Sequence, residues 1–584
     1  MKFILQQIFQ IQVYDRLQPL GVSLSHQGML ETMSAISNSF NTELTECVKQ
    51  GKKFRIIGDN VNFHMGVAQA RKNTGKVSHM EHWFGSAAIV QNVSFPDLPG
   101  THPQHDLRYL PAATFMLDEH EWNGIMFKFS LIMTRILVDF FPWLKFAKSA
   151  VSQVIDDIPE GLKEPNLVIP LPILHKNEQK YAEVVDILDS YQELCETTYE
   201  AAEKPLQEVH IGGDQLTRER FSGAKRLRAA ALSETERFES LFPITFELFH
   251  LQMTVLTTFY QILYDTQNTD SFTLHSQKIR LLRKDADGND VKNHYDSCRE
   301  LAVSVIKAYV IEAACEQFGL PDTEVVPENI PEYQNMSNEE IKLWLVSQVS
   351  PIIISICSVS RDVMNGNYVE NTNTDKINCY GKTVIELGLV YMELCDIVKA
   401  PSRDRLLCLM KYLLLILKGH NNKSKYALEL LRFLSQQLAL LSERAANEVC
   451  YGLFVNTGKS IIPADMQMEH LVRLTKCHLR TMCSNVTDSS LAKRSSAFFG
   501  MDEISKNIDK ETSSIKRSQK HKRLSSIEDE QKIIKELRVV RPFLNIPGRH
   551  TETLKMTKNP ITKLNMEALI KWIEQYKLKF YYEL

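Results

Sequence analysis

An α/β core interrupted by a large all-helical insertion is the fold class that the sequence predicts, and two observations predict it. Short apolar runs that end in glycine and a carboxylate fall before about residue 250, at Phe54-Arg-Ile-Ile-Gly-Asp59 and Val209-His-Ile-Gly-Gly-Asp214. From Leu251 to Val449, apolar residues instead recur at spacings of three and four, the period of a helix face and not of a strand. A helical stretch of this size does not continue a sheet of short strands, so it reads as an insertion. The expected organisation is a helical segment over 1–49, the core over 50–253, the helical insertion over 254–454, the core resumed over 455–500, a polar basic segment over 501–535 and a helical segment over 536–584.

The composition suits such a protein. With 44% hydrophobic and 24% charged residues among 584, the chain can bury a large core as a soluble globular protein. Lys and Arg number 68 against 71 Asp and Glu, a formal charge of -3. This balance speaks against a surface dominated by nucleic-acid contacts while permitting a local basic groove. Eleven cysteines include no Cys-x-x-Cys pair, which suggests neither a zinc finger nor a redox pair. Their odd number, and an opening Met1–Gln10 broken by glutamines where a signal peptide would be apolar, predict a reducing compartment. The most apolar long stretch, Ile125–Phe146, contains Lys128, Arg135 and Asp139. It reads as a buried helix, so no membrane is expected as a partner.

In chain order, Met29–Ser39 has helical spacing, and the strand ending at Asp59 follows. A polar connection with Arg71, Lys72 and Lys76 leads to a second strand over Phe84–Phe95, which Pro96, Pro99 and Pro103 terminate. His79 and His82 straddle Glu81, a spacing that invites a metal, but no cysteine or third histidine stands nearby. Residues 117–155 read as one or two helices, Pro165–Pro172 as a loop with a short extended run over Leu167–Pro172, and about Glu178–Glu203 as a polar helix returning to the Asp214 strand. Phe242–His250 reads as a further strand.

A short strand that delivers an acid to its C-terminal end can supply a metal ligand; the same Gly-Asp also makes an ordinary turn or cap. Both readings stay open for Asp59 and Asp214. A third acid should come after the insertion, where Asp465 and Glu469 lie four apart on one helix face. Asp465 suits an N-cap, which leaves Glu469 as the better ligand. Two magnesium ions about 3.5–4 Å apart need carboxylates from separate elements, and Asp59, Asp214 and Glu469 could supply them. Behind Asp214, the cations Arg218, Arg220, Lys225, Arg226 and Arg228 crowd into eleven positions. They suit a phosphodiester held beside ions, or a solvated helix balanced by Glu219 and Glu234.

Four strings carry a resemblance: Gly213-Asp214-Gln-Leu-Thr with the Arg-rich run after it, Tyr426-Ala-Leu-Glu-Leu-Leu-Arg, Phe454-Val-Asn-Thr, and Pro463-Ala-Asp465-Met-Gln-Met-Glu469-His470-Leu. They resemble a eukaryotic domain family of unknown function, found in animals and fungi, which is itself similar to transposase-derived proteins with a ribonuclease-H-like core. The resemblance covers about Leu17 to Trp572, including Pro547-Gly-Arg-His550. It implies a ribonuclease-H-like core in which Asp59, Asp214 and Glu469 match the acidic triad, bind Mg2+ and cut or join DNA. Arg218, Lys225, Arg226 and Arg228 are then the expected nucleic-acid contacts. Two departures are a missing DNA-binding head and the slightly negative charge. They support the alternative expectation, a catalytically inactive nucleic-acid-binding or scaffold protein that retains the fold. Lys516–Arg523, with five Lys or Arg in eight positions of a polar segment, predicts a nuclear address or simply a solvated linker.

Overall fold

A computed structural model describes residues 40–65, 79–151, 158–327, 330–371, 373–421, 424–481, 526–554 and 559–582, with short pieces of the first 39 residues and of 509–512. The polar connection bearing Arg71, Lys72 and Lys76, and the basic run Lys516–Arg523, lie outside the described residues. The chain is a mixed α/β protein that divides into two units. One comprises Met1–Phe95, Pro159–Phe249 and Gly452–Lys522; the other comprises Pro96–Ile158, His250–Tyr451 and Arg523–Leu584.

The first unit is built on β1 (Phe54–Met65), β2 (His79–Val90), β3 (Val168–Pro170), β4 (Ile211–Gly213) and β5 (Ile244–Phe246). They form one sheet in the order β3-β2-β1-β4-β5. β1 and β3 run antiparallel to β2, while β4 runs parallel to β1 and β5 parallel to β4. The β1–β2 ladder extends from Phe54↔Val90 to Met65↔His79. β2 therefore begins five residues before the expected Phe84, and β1 continues past Asp59, because each strand supplies the other with backbone partners along that whole length.

Strand alternation sorts the core into two layers. On one face Phe54, Ile56, Phe84 and Ala88 pack with α1 (Phe40–Lys49), α2 (Tyr181–Ala201) and α3 (Gln215–Leu227), which contribute Leu44, Leu188 and Phe221. On the other face Ile57, Val61, Trp83 and Ala87 pack with Met468, Leu471 and Val472 of α4 (Ala464–Thr481). Asp59 therefore lies within a strand covered on both sides, and Asp214 follows β4 beside it. A small second sheet, β6 (Phe454–Asn456) paired with β7 (Ile461–Pro463), leads the chain into α4.

The glycines before the acids have a steric reason. A Cβ on Gly58 would collide with the Phe84 ring and stand 2.8 Å from the Tyr191 hydroxyl. One on Gly213 would stand 2.6 Å from Thr217 and 2.9 Å from the Gly58 carbonyl. Strand and helix approach too closely here for any side chain.

The second unit holds no strand among its described residues. Its centre is Lys376–Lys399 and Arg403–His420, helices buried on nearly every side, as expected of helices apolar all round. Glu119–Phe140 and Asn338–Met364 both start with a capping box, Asp118 with Glu121 and Ser337 with Glu340, satisfying the first-turn amides. Asn338–Met364 has the length and hydropathy of a membrane span. Val349, Ile353, Ile356 and Cys357 are nevertheless buried, as on the inner face of a core helix. Residues 96–158, read from sequence as part of the sheet-bearing core, belong to this helical unit. Helix Glu119–Phe140 brings an apolar face that packs on Asn338–Met364 and on its neighbours.

A buried carboxylate in this unit carries a pH dependence. Glu386 accepts hydrogen bonds from the Ser360 and Tyr412 hydroxyls and, at 2.6 Å, from Asn559 Nδ2. Burial raises its pKa from 4.5 to about 7, and the three hydrogen bonds only partly oppose the rise. A raised folded pKa means stability that is fully present below about 4.5 and lost as pH climbs through about 7. Urea unfolding of wild type and Glu386→Gln should therefore show a stability difference that shifts in favour of the variant between pH 5 and pH 8.

Candidate metal and nucleic-acid site

β1 and β4 are registered as parallel neighbours through Ile56↔Ile211 and Ile57↔Gly212. Counting two residues onward from the second pair brings Asp59 level with Asp214, both at the carboxyl side of that pairing. Asp59 shares the parity of Ile57 and Val61, whose side chains lie in the layer covered by α4. Glu469, the third predicted ligand, is half-buried on that helix, next to the buried Met468. The fold thus puts all three predicted acids in one unit, but only Asp214 follows a strand end; Asp59, expected at one, lies inside β1 opposite Gly85, because the β1–β2 ladder runs on to Met65.

Asp59 and Asp214 also have local duties. Asp59 Oδ1 accepts the Asn60 amide at 2.7 Å. Asp214 is the N-cap of α3, its Oδ1 accepting the Thr217 amide at 2.7 Å. Asp465 departs from expectation, because α4 begins one residue earlier, at Ala464. Within the first turn, its buried carboxylate accepts the Phe249 amide at 2.9 Å and so caps the start of helix Leu248–Leu263.

A fourth carboxylate, Glu178, escaped the sequence reading. It lies just before α2 and is buried. One oxygen accepts from Asn60 Nδ2, and the other accepts from the Thr217 hydroxyl at 2.7 Å. Burial raises its pKa and the charge of Asp214 adds to the rise, while the hydrogen bonds from Thr217 and Asn60 pull against it. No spacing rule marks a lone glutamate between a short strand and a helix. The one available signal was its position between the two acid-bearing strands.

The histidines near β2 do not converge. Positions 79 and 81 share one face of the strand and 82 takes the other; His79 Nε2 meets Glu81 at 2.6 Å, and His82 Nδ1 meets Asn62 Oδ1 at 2.8 Å. Among the described residues no three His, Cys, Asp or Glu side chains are gathered as a metal-binding group. In kind, the oxygen donors Asp59, Asp214 and Glu469 fit Mg2+, a hard cation that favours carboxylates.

The cations of α3 divide by helix face. Arg218 is buried and donates to the Ser222 hydroxyl at 3.2 Å. Lys225 donates to the Leu241 carbonyl at 3.0 Å; burial lowers its pKa to about 8 against the opposing charges of Glu208 and Glu239. Arg228 pairs with Asp189 at 3.1 Å and stands over the Phe238 ring, and Arg220 lies over Tyr181 at 4.6 Å. Arg226 is exposed.

Comparison with curated proteins and with solved structures found no match. The model of a family of unknown function, DUF6589, matches residues 106–521, most of the chain, and the protein belongs to that family.

Proposed function

We propose that the sheet-bearing unit is a ribonuclease-H-like core of transposase origin, with Asp59, Asp214 and Glu469 as ligands for Mg2+ in DNA phosphodiester cleavage or strand transfer. The observation that carries the reading is the register that brings Asp59, inside β1, level with Asp214, the residue after the parallel strand β4. The strand order, with three antiparallel strands on one side and two parallel ones on the other, supports the fold assignment. Mg2+, when bound, would activate water or a 3′ hydroxyl and offset phosphate charge. The protein's own part is to hold the carboxylates of Asp59 on β1 and Asp214 just after β4, to offer Glu469 from α4, and to present cationic charge nearby. Of the cations on α3 and at its C-cap, the exposed Arg226 and the half-exposed Arg228 are the ones proposed to meet a phosphate backbone, while Arg218 and Lys225 brace the helix from within. A nuclear site of action follows from this reading together with the basic run Lys516–Arg523.

A second reading, a nucleic-acid-binding or scaffold protein that does not cut, is favoured by the capping role of Asp214. Cleavage of labelled DNA in Mg2+ or Mn2+ separates the two readings, since activity abolished by Asp214→Asn supports the first. Binding tests the surface that both share. Neutralising Arg226 and Arg228 together should weaken DNA binding and flatten the plot of log affinity against log salt by about 1–2, at roughly 0.9 per lost contact. An unchanged slope removes this surface from the proposal.

A further inference from the structure

Glu178 joins the two segments that bear Asp59 and Asp214. Asn60, its partner on β1, directly follows Asp59, and the Asn60 amide is the group that Asp59 Oδ1 accepts. Thr217, its partner on α3, is the residue whose amide Asp214 caps. Each oxygen of one buried carboxylate is thus one residue or one hydrogen bond removed from a different acid. Gly58 and Gly213 stand beside each other at the same level, with no side chain between them to set the spacing.

We propose that Glu178 is a positioning residue, a clasp that fixes β1 to the start of α3 and thereby sets the separation of Asp59 and Asp214. The clasp stands on geometry alone; its consequence for cation binding rests on the reading of Asp59 and Asp214 as ligands. Its chemistry separates it from a ligand role. A glutamine at 178 accepts from Asn60 Nδ2 through Oε1 and donates to the Thr217 hydroxyl through Nε2, since a hydroxyl both donates and accepts. Glu178→Gln therefore preserves the clasp and removes the charge, whereas Glu178→Ala removes both arms.

The test uses full-length wild type, Glu178→Gln and Glu178→Ala, with amide hydrogen exchange of the metal-free protein and Mn2+ binding followed by electron paramagnetic resonance. Glu178→Ala should speed exchange in 58–62 and 214–218 together, leaving 86–90 at the wild-type rate. It should also weaken Mn2+ binding by about 10-fold, the lower end of what loss of a ligand-orienting group costs. Glu178→Gln should stay within about twofold of wild type in both measurements, as a preserved pair of hydrogen bonds requires. Thr217→Val cuts one arm and should loosen 214–218 more than 58–62, which keeps the idea testable if the alanine variant does not fold. Faster exchange in one segment only with Glu178→Ala, or equal damage from glutamine and alanine, overturns the clasp. Absence of Mn2+ binding that depends on Asp214 in the wild type would instead overturn the ligand reading, and the exchange data would still decide on the clasp.

Discussion

Asp214→Asn should leave the protein folded and cut DNA about 100- to 1000-fold more slowly, the cost typical of losing one preorganised group that stabilises transition-state charge. The substitution is informative because Asp214 has a structural role beside the proposed chemical one. Asparagine caps a helix about as well as aspartate, and its Oδ1 can still accept the Thr217 amide that Asp214 holds at 2.7 Å. The fold therefore keeps its support while the negative charge is removed. Asp214→Ala removes the cap as well and should cost about 1 kcal/mol of stability on top of the lost activity. Thermal unfolding of both variants beside a single-turnover cleavage assay separates the two roles. Cleavage by Asp214→Asn at the wild-type rate would reduce Asp214 to a cap.

What could be read from sequence, and what could not, follows from the range of the interactions involved. The strands near Asp59 and Asp214 were legible because apolar runs closing on glycine and acid are local features, and the close approach of Gly58 and Gly213 explains why glycine stands there; the strand end read at Asp59 was not one, since β1 runs on to Met65 against β2. β4 and β5 span only three residues each, too few to show alternation, so their pairing with β1 had to come from the fold. Residues 96–158 joined the helical unit through contacts with helices hundreds of positions away, which leave no local mark. The direction of the α3 cations was available and went unused. Arg218, Phe221 and Lys225 are spaced by three and four, and Phe221 is fully buried, so the stripe that carries Lys225 and Arg218 faces inward. Arg226 falls off that stripe. The histidines at 79 and 82 show the converse: three apart is close on a helix, but on β2 it means opposite faces. Glu178 was illegible because its partners, at 60 and 217, come from two other chain segments.

Glu247→Ala should be among the most destabilising single changes in the sheet-bearing unit, at about 3–5 kcal/mol, because it strands a buried charge. Arg55 projects from β1 and is completely buried, as is the Glu247 side chain. The guanidinium pairs with both carboxylate oxygens of Glu247, one of them at 3.3 Å, and donates to the Gly452 carbonyl at 2.7 Å. Beside it, His210 bonds the Thr245 hydroxyl at 2.6 Å, and burial with the Arg55 charge holds its pKa well below the usual value, so it is neutral. Three separate passes of the chain meet at this pair: β1, the residue after β5, and the point where the chain returns to the sheet-bearing unit at Gly452. A Cβ on Gly212 would collide with both side chains, which ties β4 to the same arrangement. Removing the carboxylate leaves the cation with the Gly452 carbonyl as its acceptor among the described residues, far short of the five donors a guanidinium presents. Replacing both partners removes the charge along with its counter-charge, so Arg55→Met with Glu247→Met should recover most of the loss. Urea unfolding of the two single variants and the double gives the coupling energy directly. Additive losses in the double would mean that the pair does not act as a unit, and that β1 and β5 are held at this level by apolar packing alone.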